Sequence, residues 1–133
     1  VEAKIVGRTR LATVGSNTLH LQWHGDIGAA EVTAIEAYSA ALRQELGGDA
    51  QVYALVEIGD DVGISRDARP GIGTLAREQP WAATALVGAR YEVKVLIELT
   101  LNATRLLTKA VHDVAFFDTN AEARAWLAER GAC

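Results

Sequence analysis

The sequence predicts an α/β domain: a five-stranded, mixed and mainly parallel sheet with four helices, in the order β-β-α-β-α-β-α-β-α. Three observations carry this. Alternating apolar residues open the chain, short apolar runs then alternate with helical patterns, and no repeat, low-complexity tract or linker divides the 133 residues. A chain of this length makes one domain, residues 1–133, and buries roughly two-thirds of the surface exposed when it is unfolded.

The elements follow in order. Ile5, Val6 and Leu11 to Val14 form a β-prone stretch, Gly15-Ser16-Asn17 supplies turn chemistry, and Leu19, Leu21 and Trp23 alternate with His20, Gln22 and His24, which reads as a hairpin. From Gly28 the apolar period becomes helical, with Val32, Ile35, Ser39, Leu42 and Leu46 at steps of three and four, and Gly47-Gly48 stops the helix. Val52 to Ile58, interrupted only by Glu57, suits a strand buried on both faces. After the loop Gly59 to Gly63 a second helix follows. Asp67 as its cap leaves Pro70 in the first turn, where a missing N–H is harmless. Ala82 to Ala89, centred on Ala85-Leu86-Val87, is another buried strand.

Tyr91 to Lys109 supports two patterns. Tyr91, Val93, Val95, Ile97 and Leu99 alternate, yet Val93, Leu96, Ile97, Thr100, Thr104 and Leu107 make a helical face. Nineteen residues without Gly or Pro exceed a usual strand, so length decides for a helix of about five turns. His112 to Phe117 is the final strand. Thr119 or Asn120 caps the last helix, Ala121 to Arg130, whose inward stripe is Ala123, Trp126 and Leu127. Parallel pairing after the hairpin follows from the crossover rule, and the helices are expected mostly on one face.

The element order, with the ending Val114-Ala115-Phe116-Phe117-Asp118-Thr119 and then Glu122-Ala123-Arg124-Ala125-Trp126-Leu127, resembles the SpoIIAA-like proteins, whose fold group also holds STAS domains and CRAL-TRIO lipid carriers. The resemblance spans the chain in element order, and its residue matches concentrate in the last twenty or so positions. It implies a regulatory or binding module, usually without catalysis. In the anti-sigma-factor-antagonist branch a serine in a D-S-[ST]-G-L motif is phosphorylated; the equivalent Gly63-Ile64-Ser65-Arg66-Asp67 keeps one serine without the flanking motif residues. The CRAL-TRIO branch implies an apolar cleft, lipid-like or membrane association, and frequent dimers.

Composition excludes several trades. With 17 acidic against 13 basic residues and a net charge of −4, the chain has no surplus to neutralise a phosphate backbone, so no nucleic-acid partner is expected. Cys133 alone allows neither an intrachain disulfide nor a cysteine zinc site. No run approaches the ~20 apolar residues of a membrane span and the first ten residues show no signal core, so a cytoplasmic location is expected, with any membrane association peripheral.

The candidate residues divide by chemistry. Ser65, beside Arg66 and Arg69, is the phosphorylation candidate, its ordinary alternative being a loop serine at a helix start. His20 and His24 share a strand face about 13 Å apart at ~3.3 Å per residue, too far for one ion. Asp60-Asp61 near Glu57 offers hard oxygen ligands without a known loop spacing. A triad of Ser65, His112 and Asp60 or Asp61 lacks a nucleophile elbow, and Gly71-Ile72-Gly73 lacks the rest of a phosphate loop. No catalytic residue, metal or cofactor is assigned.

The long helix is the most informative feature. Besides its core face it carries Val95, Leu99, Asn102 and Leu106 at steps of four, three and four. A helix apolar on two sides needs two partners, and the second is a neighbouring helix, a twin subunit, an apolar ligand or a membrane surface. Trp81 and Tyr91 are placed at the rim of the same cleft. The reading is a non-catalytic module, expected as a homodimer, that docks a protein partner or holds an apolar small molecule. The binding loops would contain Asp60, Asp61, Ser65, Arg66, Trp81 and Tyr91, and the interface or cleft Val95, Leu99 and Leu106. A phosphoserine partner switch at Ser65 is the alternative, a small hydrolase the lesser one.

Overall fold

The computed structural model describes residues 1–78, 81–108 and 113–133, with side chains for all of these except 76–78 and 104–108. Its main sheet has six strands in the order β1 (Lys4–Val6), β2 (Thr9–Val14), β3 (Thr18–Trp23), β5 (Tyr53–Ile58), β7 (Thr84–Val87), β8 (Val114–Phe117). The first three are antiparallel and the rest run parallel to β3.

The sixth strand corrects the expected five, and Gly7 is the reason. At φ +61 it turns the chain within two residues, splitting the alternating opening stretch into two strands with Val6 opposite Thr9. A second correction is a small parallel ladder outside the main sheet, β4 (Asp26–Ile27) with β6 (Gly63–Ile64). It ties the loop after β5 to the loop after β3, with Ile27, Val62 and Ile64 buried beneath.

The sheet is covered on both faces. Alternation along β5 sends Ala54, Val56 and Ile58 to one side and Tyr53 and Leu55 to the other. The first side meets α1 (Ala29–Glu45), α2 (Arg69–Glu78) and α3 (Tyr91–Thr108), through Val32, Ile35, Tyr38 and Leu42, then Leu75, then Val93 and Ile97. The second meets α4 (Asn120–Glu129) through Ala123 and Leu127. Three helices on one face and one on the other fit the expectation.

Helix ends follow local chemistry. Glu31 reaches back to accept from the Gly28 N–H at 3.0 Å, and Thr119 Oγ1 accepts from the Glu122 N–H at 3.2 Å. The cap of α2 falls at Ala68, one residue beyond the expected Asp67, and Pro70 still lies in the first turn. Gly15, at φ +64, packs so closely that a Cβ there would stand 1.8 Å from the Cys133 carbonyl oxygen; the same carbonyl accepts from the Ser16 N–H at 2.9 Å.

Candidate functional site, an apolar cavity beneath the helices

Between α1, α2, α3 and the sheet lies a cavity of about 70 Å³. Its wall is built by periodicity: Val32 and Ile35 from α1, Ile72 and Leu75 from α2, Ile97 and Leu101 from α3, and Trp23, Val56, Thr84, Leu86 and Val114 from successive strands. Trp81 closes one side and donates its indole N–H to Ser39 Oγ at 2.9 Å, so a fully buried serine on α1 fixes the ring. Asp113, an exposed residue ion-paired to Arg130 at 2.6 Å, also belongs to the lining, so the cavity reaches the surface beside it.

Trp23 is the unusual wall residue. It is only 6% exposed, and its indole nitrogen has no hydrogen-bond partner among the described residues. Among the described residues the Thr9 hydroxyl is the other buried side-chain group in that state, and Thr9 does not line the cavity. A buried donor left unpaired costs about 1–3 kcal/mol.

The sequence-based candidates fall at separate places. Trp81 lines this cavity. Tyr91 stands at the opposite end of β7 and is 77% exposed, so these two aromatics do not rim one cleft. Val95 and Leu99 lie instead along an open groove of about 370 Å³ with Val62, Ile64, Arg69 and Arg90, where Arg90 Nη2 donates to the Val62 carbonyl at 2.7 Å. Leu99 is 62% exposed there. The side chain of Leu106 and the whole of His112 lie outside the described residues.

Ser65 sits at the end of β6, its N–H donating to the Ile27 carbonyl at 3.0 Å and its hydroxyl set against that carbonyl and the Asp67 carboxylate. A phosphoryl group on Ser65 would therefore stand against a carboxylate. Arg66 is exposed beside it. Asp61 pairs with Arg8 at 2.8 Å and stands 3.7 Å from His24 Nδ1; the backbone N–H of Gly25, with Arg8 and His24, holds its carboxyl below the usual range. Asp60 is exposed in the same loop. Among the described residues no three His, Cys, Asp or Glu side chains stand close enough to share a metal ion, and no helix is long and apolar enough to cross a membrane.

One polar cluster escaped the sequence reading. Glu57, on the α4 face of the sheet, stands 2.5 Å from His20 Nε2 and accepts from Gln22 Nε2 at 3.0 Å and Asn120 Nδ2 at 2.7 Å, while Arg124 Nε donates to Asn120 Oδ1 at 2.7 Å. Register accounts for it, since Gln22 lies directly opposite Glu57 on adjacent strands. Burial raises the carboxyl's pKa, but the bonds from His20, Asn120 and Gln22 outweigh it and hold it below the usual range.

A pH dependence follows. A depressed folded-state pKa contributes stability above the unfolded value, ~4.3, and that stability is lost as pH falls through the folded one. For this half-exposed cluster it amounts to less than about 1 kcal/mol. Urea unfolding from pH 6 down to pH 3 is expected to show a steeper loss of stability in the wild type than in Glu57→Gln; parallel curves would refute this assignment.

No family model and no curated protein matches the chain. Among solved structures it is similar to an uncharacterized protein of the DUF3478 family with a SpoIIAA-like fold from Shewanella loihica PV-4, with a TM-score of 0.56 and 15% identity over 95% of this chain and 90% of that one. The fold is SpoIIAA-like.

Proposed function

We propose that this chain is a non-catalytic binding module that holds an apolar small ligand in the cavity beneath α1, α2 and α3. The observation that carries the reading is the apolar wall itself, open beside Asp113 and lined by side chains from three helices and four strands. Well-packed cores seldom leave voids larger than a water.

Volume limits the occupant. An apolar cavity of about 150 Å³ takes benzene, so about 70 Å³ suits a short branched alkyl group or the end of a longer chain, not an entire lipid. 2-Methylbutane, itself bulkier than benzene, would enter by its isopropyl end with the remainder in the opening beside Asp113. A probe of about five non-hydrogen atoms binds in the millimolar range, about 4 kcal/mol. Titration with 2-methylbutane is therefore expected to produce saturable shifts in the methyl resonances of Leu75, Leu86 and Ile97; their absence would remove the reading.

The exposed Leu99 in the groove beside Arg69 and Arg90 supports a companion role, docking of a protein partner or a second copy of the chain. A phosphoserine switch at Ser65 has less support, because Asp67 already occupies the hydroxyl. Hydrolase chemistry lacks an assembled nucleophile and base among the described residues.

A further inference from the structure

We infer that β8 is the seam of a homodimer. Two copies join their sheets edge to edge, Val114 and Phe116 of one strand pairing antiparallel with Phe116 and Val114 of the other about a two-fold axis at Ala115. The inference does not depend on the cavity holding a ligand, and it uses a different surface from the Leu99 groove.

The edge is open and unguarded. β8 ends the sheet order, and among the described residues nothing pairs with its outer side. Exposed edge strands usually carry a charge, a proline or a bulge that stops another strand from adding. The far edge follows this rule, β1 being short with Lys4 at its head. β8 reads Val-Ala-Phe-Phe without such a guard, and its side chains are all half-buried, whereas Ala85, Leu86 and Val87 of the neighbouring β7 are buried.

Backbone pairing sets the register. The Asp113 carbonyl accepts from the Thr84 N–H at 2.8 Å and the Phe117 carbonyl from the Gly88 N–H at 3.1 Å, so the odd-numbered residues turn their bonding groups toward β7. Val114 and Phe116 therefore turn theirs outward. An axis at Ala115 lets both of them bond within the strand, each Val114 exchanging its N–H and C=O with a Phe116 of the other copy.

The side chains suit this register. Val114 and Phe116 both pack on the α3 face, so an aromatic ring meets a β-branched residue, a favoured cross-strand pair. Ala115 meets its own copy at the closer, non-hydrogen-bonded position, where a small side chain fits. Lys94 Nζ lies 5.1 Å from the centroid of the Phe116 ring, and Glu98 lines a groove with Val114 and Phe116. Because Phe116 of one copy lies against Val114 of the other, the axis carries each Lys94 toward the Glu98 of the other copy.

Sedimentation and cross-linking test the seam. The interface is small, so wild-type dimer is expected to form at about 100 µM protein. Ala115→Lys sets like charges directly opposite each other and should raise that concentration by about tenfold or more, while Leu99→Lys should leave it within about twofold. In a Cys133→Ser background, Ala115→Cys should give a disulfide-linked dimer on oxidation with diamide, because the paired Cα atoms, about 4.5 Å apart, fall within the range a disulfide spans. A wild type still monomeric at about 1 mM would overturn the inference. So would a dimer that Ala115→Lys leaves intact or Leu99→Lys abolishes, or the lack of a cross-link in Ala115→Cys. If Ala115→Lys fails to fold, the cross-link decides alone.

Discussion

Gly15→Ala is expected to lower the melting temperature by roughly 10 °C. Two costs add at this position. An L-residue held at φ +64 in the left-handed region costs about 1–2 kcal/mol. The new Cβ would also stand 1.8 Å from the Cys133 carbonyl oxygen, so the end of the chain must move and the bond from the Ser16 N–H to that carbonyl is lost, about 1 kcal/mol more. Gly48→Ala is the nearer control for the backbone term, because Gly48 has φ +82 and nothing within 4 Å of its Cβ position. Calorimetry should show a smaller loss for Gly48→Ala; a loss as large would mean that the packing of Cys133 on the β2–β3 turn contributes nothing.

The second large effect concerns binding. Ile97→Phe is expected to weaken 2-methylbutane binding at least tenfold while changing stability little. Ile97 is 5% exposed and lines the cavity from α3, so a larger ring must project into the void. Overpacking a filled core costs about 1–3 kcal/mol. Here it is offset by removing a void that, at ~24 cal/mol per Å³ over about 70 Å³, costs about 1.7 kcal/mol. Unfolding in urea reads the stability and the methyl titration reads the affinity. Unchanged affinity would place the ligand elsewhere.

Much of this architecture is legible in the residues. Length alone separates helix from strand for α3, whose pattern fits both, and the inward stripe of α4 is buried at Ala123 and Leu127 as its spacing requires, with Trp126 packed on Phe117. What escapes is non-local or very short. Gly7 is one glycine in an alternating stretch, and only its pairing register reveals a turn. The two-residue ladder of β4 and β6 is below the length at which any periodicity exists. Glu57 looks like an interruption in an apolar run until β3 is laid beside β5, when Gln22 and His20 become its partners. The cavity is half legible: the helices that form it follow from periodicity, but Trp81 entering its wall while Tyr91 points to solvent depends on which end of β7 each occupies.

The most direct test of the central claim is the titration of the wild-type protein with 2-methylbutane, followed in a methyl-resolved spectrum. The structure predicts saturable shifts at Leu75, Leu86 and Ile97 with a dissociation constant in the millimolar range, and none at the exposed Leu99. Shifts confined to Leu99, or no saturation at any cavity methyl, would contradict it.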